Sequence, residues 1–332
     1  MKPTTHRLQQ SGHRQQLSVP ASSGAPLRRS HAREIGRVLF TSGVILWLSG
    51  CARDGTSFLD PHGIVAAAQR RWLFEITGLM MIVVLPVFIL VPLFAWRYRR
   101  RNKAAAYRPD WSFSWPLEFL VWGVPIAIVA VLAYVIIEDE TKFDPYAALP
   151  STQPPLRVDV VGLDWKWLFI YPDQHIATVG MLALPQDRPI SFSLTSDATM
   201  QSFLIPALGS QIYAMAGMVT RLNLMADRPG QLLGENTQFN GMGFMNQSFT
   251  VSVMSPQDFA AWCSGLAKSG KRLDAAAYST LSQHGTVAKA RSDFGIGQAA
   301  TLAFSDVPDA FFRSIVDKYQ HADAQAAVPG QH

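Results

Sequence analysis

The residues whose side chains could support catalysis or metal binding are few in this chain and widely spaced. Away from the two ends the histidines are His62, His175 and His284, and the two cysteines are Cys51 and Cys263. Metal sites bring several such ligands together, usually with a short spacing within at least one pair, and these residues form no such pair. No Ser/His/Asp constellation or phosphate-binding glycine loop stands out either. Cys263 is therefore predicted to be a free or buried thiol.

A methionine-rich stretch covers residues 200–254 and holds Met200, Met215, Met218, Met225, Met242, Met245 and Met254. Thioethers bind Cu(I), but methionine also fills irregular gaps in protein cores. The same stretch contains neither histidine nor cysteine. Because no spacing within it defines a ligand set, packing is favoured over metal binding.

Glu118 lies one position before an apolar run that extends from Phe119 to Ile137. A glutamate in the first turn of a helix is stabilised by the helix dipole, whereas a carboxylate at a membrane is often functional. On spacing alone the capping role is favoured. Glu75, near the outer end of an earlier apolar run, is interpreted as an interfacial or partner-facing acid.

The elements that carry these residues include two predicted transmembrane helices, at residues 72–96 and 115–137. Both apolar runs can cross a bilayer core of about 30 Å, and membrane helices tolerate internal prolines better than soluble helices do. The connecting loop, residues 97–114, is basic, with Arg97, Arg99, Arg100, Arg101, Lys103 and Arg108. By the positive-inside rule this loop is cytoplasmic, and the rest of the chain is external.

Residues 1–50 are predicted to be an export signal. Basic residues (Lys2, Arg7, Arg14, Arg28, Arg29, Arg33 and Arg37) precede an apolar run from Val38 to Leu48 that is too short to span a membrane. The run ends in Leu48-Ser49-Gly50-Cys51, which resembles the bacterial lipobox, in which the cysteine receives lipid. The alternative is a small-residue end to an N-terminal anchor helix. With Cys51 lipidated, residues 51–71 form an external N-terminal segment.

A Pro-rich linker at residues 138–155 leads into a predicted β sandwich at residues 156–255. The sandwich begins with LRVDVVGLDWKWLFIY, which shows the period-two alternation of strands. Side chains two positions apart share a strand face, so Trp165, Trp167 and Phe169 are predicted to line one side. Further strands are predicted at residues 190–195, 210–214, 220–226 and 249–254, with Pro and Gly between them.

Residues 256–332 are predicted to form a helical, aromatic-rich C-terminal extension. The predicted fold class is a membrane-anchored α+β protein, in which an antiparallel pair of transmembrane helices precedes an external β sandwich and a helical tail. A composition of 48% hydrophobic and 16% charged residues agrees with partial membrane embedding. The net charge of +5 comes from the N-terminal residues and the basic loop, so no basic face is predicted to bind nucleic acid.

Several motifs together resemble subunit II of haem-copper respiratory oxidases, in the quinol oxidase branch of the cytochrome bo type. They are LSGC ending at Cys51, the two spans with their Arg-rich loop, Glu-x3-Trp-x2-Pro from Glu118, DWKW from Asp164 and SFLIPALGSQIYAMAGM from Ser202. The resemblance covers nearly the whole chain after Gly50. It implies that the β sandwich is cupredoxin-like.

Copper-bearing members of this family hold a dinuclear site with a His before a Ser-Phe pair and a Cys-x3-Cys-x3-His-x2-Met run before the last strand. Alignment on the two Ser-Phe pairs of this chain places other residues at all of these positions: Gln201, Phe239, Gly243, Gln247 and Thr250. Copper of this kind needs thiolate and imidazole ligands. The resemblance therefore implies that this chain holds no metal and no other cofactor.

The resemblance further implies a subunit of a proton-pumping ubiquinol:O2 oxidoreductase in the respiratory chain of a bacterial inner membrane. The expected partners are oxidase subunit I, which carries the haems, copper and quinol site, further small subunits, and membrane lipid; ubiquinol is the substrate of the complex. In this family the residue matching Glu118 is associated with the entrance of a proton pathway, and that role is then favoured over capping alone. The aromatic strand passes electrons to copper in copper-bearing members, but without copper plain packing is favoured.

Two alternative functions share parts of this sequence pattern. A cytochrome c oxidase subunit with a dinuclear copper site is disfavoured, because glutamine, phenylalanine and glycine cannot supply thiolate. A lipid-anchored receptor or assembly factor would have the same topology without an oxidase partner, and it predicts a chain that is stable in the absence of subunit I.

Overall fold

The computed structural model describes residues 57–103, 110–140, 144–209, 211–269 and 271–326. The predicted export signal and Cys51 lie outside these residues. Within the described residues, two long helices come first, α1 at Ile64–Arg97 and α2 at Trp115–Glu140. Both are long and apolar enough to cross a membrane, and most of their large apolar side chains are exposed in the isolated chain.

Helix α1 begins well before the predicted start at residue 72, because its first turns pack on the β domain. Val65, Ala66 and Ala68 are buried there. With 34 residues, the helix is about 51 Å long, which exceeds the thickness of a bilayer core. The part of α1 beyond the membrane thus continues into the external domain without a break.

The segment before α1 is hydrogen-bonded to the loop after the sixth strand. The backbone N–H of His62 donates to the carbonyl of Ala207 at 2.7 Å, and that of Ala66 donates to Leu208 at 3.1 Å. Gly209 has a φ of +93°, and a Cβ there would lie 2.8 Å from the backbone nitrogen of Ala66. This close approach requires glycine and attaches the external end of α1 to the β domain.

Twelve strands follow in the part of the chain that the structure describes. They are β1 (Leu156–Leu163), β2 (Lys166–Tyr171), β3 (Ile176–Val179), β4 (Met181–Pro185), β5 (Pro189–Ser196), β6 (Gln201–Leu204), β7 (Gln211–Ala214), β8 (Thr220–Met225), β9 (Gly230–Asn236), β10 (Ser248–Met254), β11 (Lys271–Arg272) and β12 (Leu302–Ser305). The extension adds helices α3 (Pro256–Ser269), α4 (Ala275–Leu281), α5 (Val287–Asp293) and α6 (Phe311–Ala326).

The strands form two sheets, as the predicted sandwich requires. The larger has the order β11-β12-β3-β2-β1-β5-β8, and the smaller has the order β4-β10-β9-β6-β7. Buried aromatic side chains fill the space between them: Phe203 stacks on Phe249 at 5.3 Å between ring centroids, and Trp167 meets Phe203 edge-on at 5.4 Å. The cupredoxin-like sandwich is confirmed, and its core is largely aromatic.

The C-terminal extension covers the outer face of the larger sheet and is not purely helical. Strand β12 pairs antiparallel with β3, and the short β11 pairs with β12, so two strands of the extension complete the sheet edge. A second core lies under the helices and consists of Val161, Leu163, Leu168, Ile170, Ala177, Val179, Leu273, Leu281, Ala290, Leu302, Phe304, Val307 and Ile315. Strands β2 and β3 are consequently buried on both faces.

The predicted alignment of Trp165 with Trp167 and Phe169 on one strand face is wrong for Trp165. Leu163 pairs directly with Lys166, which leaves Asp164 and Trp165 as the two residues of a tight turn. Trp165 adopts a left-handed φ of +62°. Alternation along β2 begins only after this turn, so Trp167 and Phe169 face the sandwich core and Trp165 does not.

Candidate functional site

The positions that the sequence aligned with missing copper ligands lie at one end of the sandwich. Gln201 begins β6, Gln247 immediately precedes β10, and the carbonyl end of β1 comes close to both. The loop between β9 and β10, residues 237–247, folds over this end. We call these parts together the loop end of the sandwich.

Side-chain amides fill the centre of the loop end. The Nε2 atom of Gln201 donates to the carbonyl of Leu163 at 3.1 Å, and Nε2 of Gln247 donates to the same carbonyl at 3.2 Å and to Oε1 of Gln201. Oε1 of Gln247 accepts from Nδ2 of Asn236 at 3.0 Å and from Nδ2 of Asn240 at 2.6 Å. Four side chains from three chain segments thus form one network, which we call the amide network.

Three of the four side chains in the network are almost completely shielded from solvent, and Asn240 is half-buried. Gln201 is 0% exposed, Gln247 1% and Asn236 5%. Asn236 uses its whole amide, because its oxygen accepts from the backbone N–H groups of Ser202 and Gln238 and its nitrogen also donates to the Gln238 carbonyl. Buried amides are tolerated only when they are hydrogen-bonded in this way, so the network ties the loop to β1 and β6.

The side chains at the loop end do not fit the dinuclear copper site that copper-bearing members of the family hold. Amide groups are neutral, hard donors, whereas such copper sites need thiolate and imidazole. The two glutamines already bond to each other and to the backbone. Within the described residues, no group of three or more His, Cys, Asp or Glu side chains could hold a metal ion. No reaction step is therefore assigned to copper in this chain.

Gly243, aligned with one cysteine position, lies flat against the turn residue Trp165. A Cβ at Gly243 would lie 2.0 Å from the Trp165 ring, a separation that no side chain can adopt. The Trp165 indole Nε1 donates to the carbonyl of Asn240 at 3.3 Å. The indole therefore occupies the space that a cysteine side chain at this position would need.

The other two aligned positions do not join the amide network. Phe239 is 69% exposed and its ring lies 5.8 Å from that of Phe244, between ring centroids. Thr250 is exposed on β10, and its backbone N–H donates to Gly180. The structure thus brings Gln201, Gln247 and Gly243 to the loop end centre and leaves the remaining two outside it.

Large apolar side chains project from the same loop into solvent. Met242 is 93% exposed and Met245 84%, beside Phe239. The loop at residues 237–247 contains no charged residue. Exposed apolar surface without charge is a common sign of a protein interface, and methionine adapts to varied partners.

The C-terminal extension braces the loop end through a buried lysine. Lys166 is 2% exposed, and its Nζ donates to the carbonyls of Gln283 at 2.7 Å, Gly285 at 2.9 Å and Asp164 at 3.2 Å. Burial lowers the pKa of Lys166 to about 8, against the opposing charge of Asp164. The Nδ1 atom of His284 lies 3.0 Å from the carboxylate of Asp164, which belongs to the turn that also carries Trp165.

Asp197 is a second anchor for the extension and was not singled out by the sequence. Its side chain is 1% exposed and follows β5 directly. One carboxylate oxygen accepts from Lys318 Nζ at 2.7 Å and from the Tyr319 hydroxyl at 2.8 Å, and the other accepts from the Tyr278 hydroxyl at 2.7 Å. Burial and the Asp197 carboxylate raise the pKa of both tyrosines, so both remain donors.

Glu118 lies far along the chain from the loop end, in the first turn of α2. Its backbone N–H donates to Ser114 at 2.9 Å. Its Oε2 accepts from the indole Nε1 of Trp122 at 3.0 Å, one helical turn later. Glu75, near the outer end of the apolar part of α1, instead lies 3.6 Å from Arg71 on the same helix.

The remaining candidate residues form no site. Cys263 on α3 is buried, and burial raises the pKa of its thiol to about 11, which makes it a poor nucleophile. His62 and His175 pair with separate aspartates, Asp60 and Asp309. Neither contributes to a ligand cluster in the part of the chain that the structure describes.

Comparison with known proteins supplies independent information. Residues 174–254 match the family described as Cytochrome C oxidase subunit II, periplasmic domain. The chain is 43% identical over 279 residues to cytochrome bo(3) ubiquinol oxidase subunit 2 of Pseudomonas putida, which covers 83% of each chain. It is 41% identical over 278 residues to ubiquinol oxidase subunit 2 of Acetobacter aceti, covering 83% of this chain and 86% of that one. The periplasmic domain of cytochrome oxidase subunit II of Bradyrhizobium japonicum aligns with 35% of this chain and 96% of its own, at 20% identity and a TM-score of 0.34.

Proposed function

We propose that this chain, which belongs to the family of ubiquinol oxidase subunit 2, is subunit II of a proton-pumping enzyme that oxidises ubiquinol and reduces O2. It has no redox centre of its own; haems and copper belong to subunit I. The observation that carries the proposal is the amide network, because hydrogen-bonded glutamines stand where a copper-bearing relative would need metal ligands. Electrons then enter the complex from quinol in the membrane, and the external domain has a structural role.

The exposed loop end supports a structural role through contact with the partner oxidase subunit. A transient soluble electron donor is usually guided by complementary charge, and the exposed loop at residues 237–247 carries none. Its exposed side chains are instead Phe239, Met242 and Met245. This surface suits a permanent apolar contact with the external face of subunit I.

Glu118 is the residue proposed for proton entrance. A carboxylate in the first turn of α2, beside the basic cytoplasmic loop, can take up protons from the cytoplasm and pass them to subunit I. The Glu118→Ala variant is expected to slow turnover several-fold while the complex still assembles. Glu75→Ala is the matched control, since it removes an exposed glutamate near the other side of the membrane. Equal turnover and proton uptake in Glu118→Ala and wild type would remove this role.

The chain is membrane-anchored through α1 and α2, and we propose the bacterial inner membrane as its location. The basic residues of the loop after α1 support a cytoplasmic position for that loop and an external position for the β domain, by the positive-inside rule. Cys51 is the proposed site of lipid attachment, which would add a third membrane anchor. Further small subunits and membrane lipid complete the proposed environment.

Donor specificity tests the proposed function. The purified complex is expected to reduce O2 with ubiquinol and to show no activity with reduced soluble cytochrome c. Rapid oxidation of reduced cytochrome c that depends on this chain would contradict the proposal. A second test is deletion of subunit I, after which an oxidase subunit should be degraded, whereas an independent receptor or assembly factor should accumulate normally.

A further inference from the structure

Glu118 and Trp122 form a hydrogen-bonded pair on one face of α2. Residues four apart on a helix are neighbours on its surface, and Trp122 Nε1 lies 3.0 Å from Glu118 Oε2. The indole N–H is a donor only, so it can bond a lone pair of the carboxylate but cannot accept the proton that the carboxylate carries. In this pair the indole is therefore always the hydrogen-bond donor and the carboxylate is always the acceptor.

The local structure orients the carboxylate from two directions. The helix begins at Trp115, and the Glu118 backbone N–H is bonded to the Ser114 carbonyl, so the backbone of the glutamate is already fixed. The indole one turn later then holds the end of the side chain. A glutamate side chain otherwise samples several rotamers, and holding it in one of them costs conformational entropy.

We propose that Trp122 is a positioning residue for proton uptake by Glu118, an inference that rests on the proton-entrance role proposed above. Its N–H anchors Oε2 and leaves Oε1 as the atom that gains and loses the proton. In each cycle a lone pair of Oε1 accepts a proton from cytoplasmic water and releases the same proton toward subunit I. The indole N–H is neither transferred nor consumed.

Trp115 provides a control within the same helix end. It is 76% exposed and meets Phe113 edge-on at 5.6 Å between ring centroids, whereas Trp122 is 66% exposed and donates to Glu118. Both are tryptophans near the cytoplasmic end of α2. A general loss of interfacial anchoring would therefore affect the two replacements similarly, whereas loss of the hydrogen bond would affect only Trp122.

The test uses the whole complex with Trp122→Phe, Trp115→Phe, Glu118→Ala and the Trp122→Phe/Glu118→Ala double variant, with haem content and subunit stoichiometry checked first. Trp122→Phe is expected to lower kcat at saturating quinol roughly three- to tenfold, as for the net loss of one ordinary hydrogen bond at an exposed position, with KM for quinol unchanged. Trp115→Phe should match wild type. In the Glu118→Ala background, Trp122→Phe should cause no further loss.

Two results would overturn the inference: wild-type kcat in Trp122→Phe, or an equal additional loss when it is combined with Glu118→Ala. If Trp122→Phe fails to assemble, Trp122→Gln and Trp122→Leu replace it in the test. Trp122→Gln keeps a side-chain N–H and is expected to retain more turnover than Trp122→Leu. Equal loss of turnover in these two variants also overturns the inference. Failure of the proton-entrance role itself is recognised separately, because Glu118→Ala would then turn over normally.

Discussion

Gln247 is the residue on which the loop end depends most, because all of its side-chain hydrogen-bonding capacity is used inside the protein. Its oxygen accepts from Asn236 and Asn240, and its nitrogen donates to Leu163 and Gln201. A metal would hold such loops together by coordination. In this chain, hydrogen bonds between neutral groups hold the loops together instead. These bonds do not depend on the uptake of a metal ion or on its oxidation state.

Replacement of Gln247 by leucine tests this role. The similar size of leucine preserves packing, but Asn236, Asn240 and Gln201 each lose one hydrogen bond, and each such bond contributes about 0.5–1.5 kcal/mol. The free energy of unfolding of the external domain, followed by tryptophan fluorescence, should fall by about 2–4 kcal/mol. Gln211→Leu, at an exposed position on β7, is the control. A Gln247→Leu protein as stable as the Gln211→Leu protein would show that the network contributes little.

Because Lys166 is buried, the stability of the domain is predicted to depend on pH in the alkaline range. The unfolded chain keeps the lysine proton up to a pKa of 10.5, whereas burial lowers the pKa in the folded chain to about 8. Between these values the unfolded state binds more protons, so the free energy of unfolding should rise with pH. Comparison of wild type with Lys166→Met isolates this rise, because the variant lacks the titrating group. Parallel pH profiles for the two proteins would contradict the assignment.

At the scale of elements, the C-terminal extension is part of the domain and not a loose tail. Strands β11 and β12 close one edge of the larger sheet, where an open edge would be liable to aggregate. Lys166 and Asp197 attach its helices close to the loop end. The extension therefore stabilises both the sheet and the turn that carries Trp165.

Asp197→Asn should loosen the extension. The variant loses the ionic bond to Lys318 and weakens the bonds from Tyr278 and Tyr319, and hydrogen bonds to charged groups contribute about 1.5–3 kcal/mol each. Amide hydrogen exchange in α4 and α6 should accelerate, while exchange in the aromatic core stays slow. Asp309→Asn, which changes an exposed aspartate, should leave both unchanged. Uniformly slow exchange in Asp197→Asn would show that the extension is held by its apolar core alone.

How much of this could be predicted from sequence depends on how local each signal is. The two helices and strands β5, β8 and β10 follow from patterns within a few residues. The short strands β3, β4 and β6 carry no clear alternation because their residues are buried on both faces or lie beside turns. The left-handed conformation of Trp165 could not be predicted from the sequence either, since nothing in DWKW indicates a turn.

The candidate site likewise has residues that local sequence patterns identify and residues whose contacts are distant in sequence. Glutamines in place of ligands could be found by alignment, but the partners of Gln247 could not. Asn236 ends β9, Asn240 lies in the same loop as Gln247, and the Leu163 carbonyl lies 84 positions away in sequence. The pairing of Asp197 with Lys318 spans 121 positions. Such contacts arise only from the topology of the sheets.

At the scale of the whole molecule, the chain has apolar surface in two places, around α1 and α2 and at the loop end. Both need cover, the first from lipid and other transmembrane helices and the second from a protein partner. Because α1 continues directly into the β domain, the position of the helices in the membrane constrains the position of the external domain. A partner subunit could then contact both surfaces.

Charge inserted at the loop end should disrupt the complex without unfolding the chain. Met242→Glu combined with Met245→Glu places two carboxylates at positions that are fully accessible in the isolated chain, so the domain should keep its stability. Buried against subunit I, they would carry a desolvation penalty, and copurification with subunit I should fall sharply. Ala260→Glu, on the exposed side of α3, is the control. Wild-type copurification of the double variant would place the partner contact elsewhere.

The central claim, that this subunit contains an amide network where copper-bearing relatives hold metal, is tested most directly by its metal content. The full chain, produced in copper-supplemented cells and purified in detergent, should contain no stoichiometric copper by mass spectrometry. It should also show no thiolate-to-copper absorption in the visible range. Two copper ions per chain, with such an absorption band, would contradict the account.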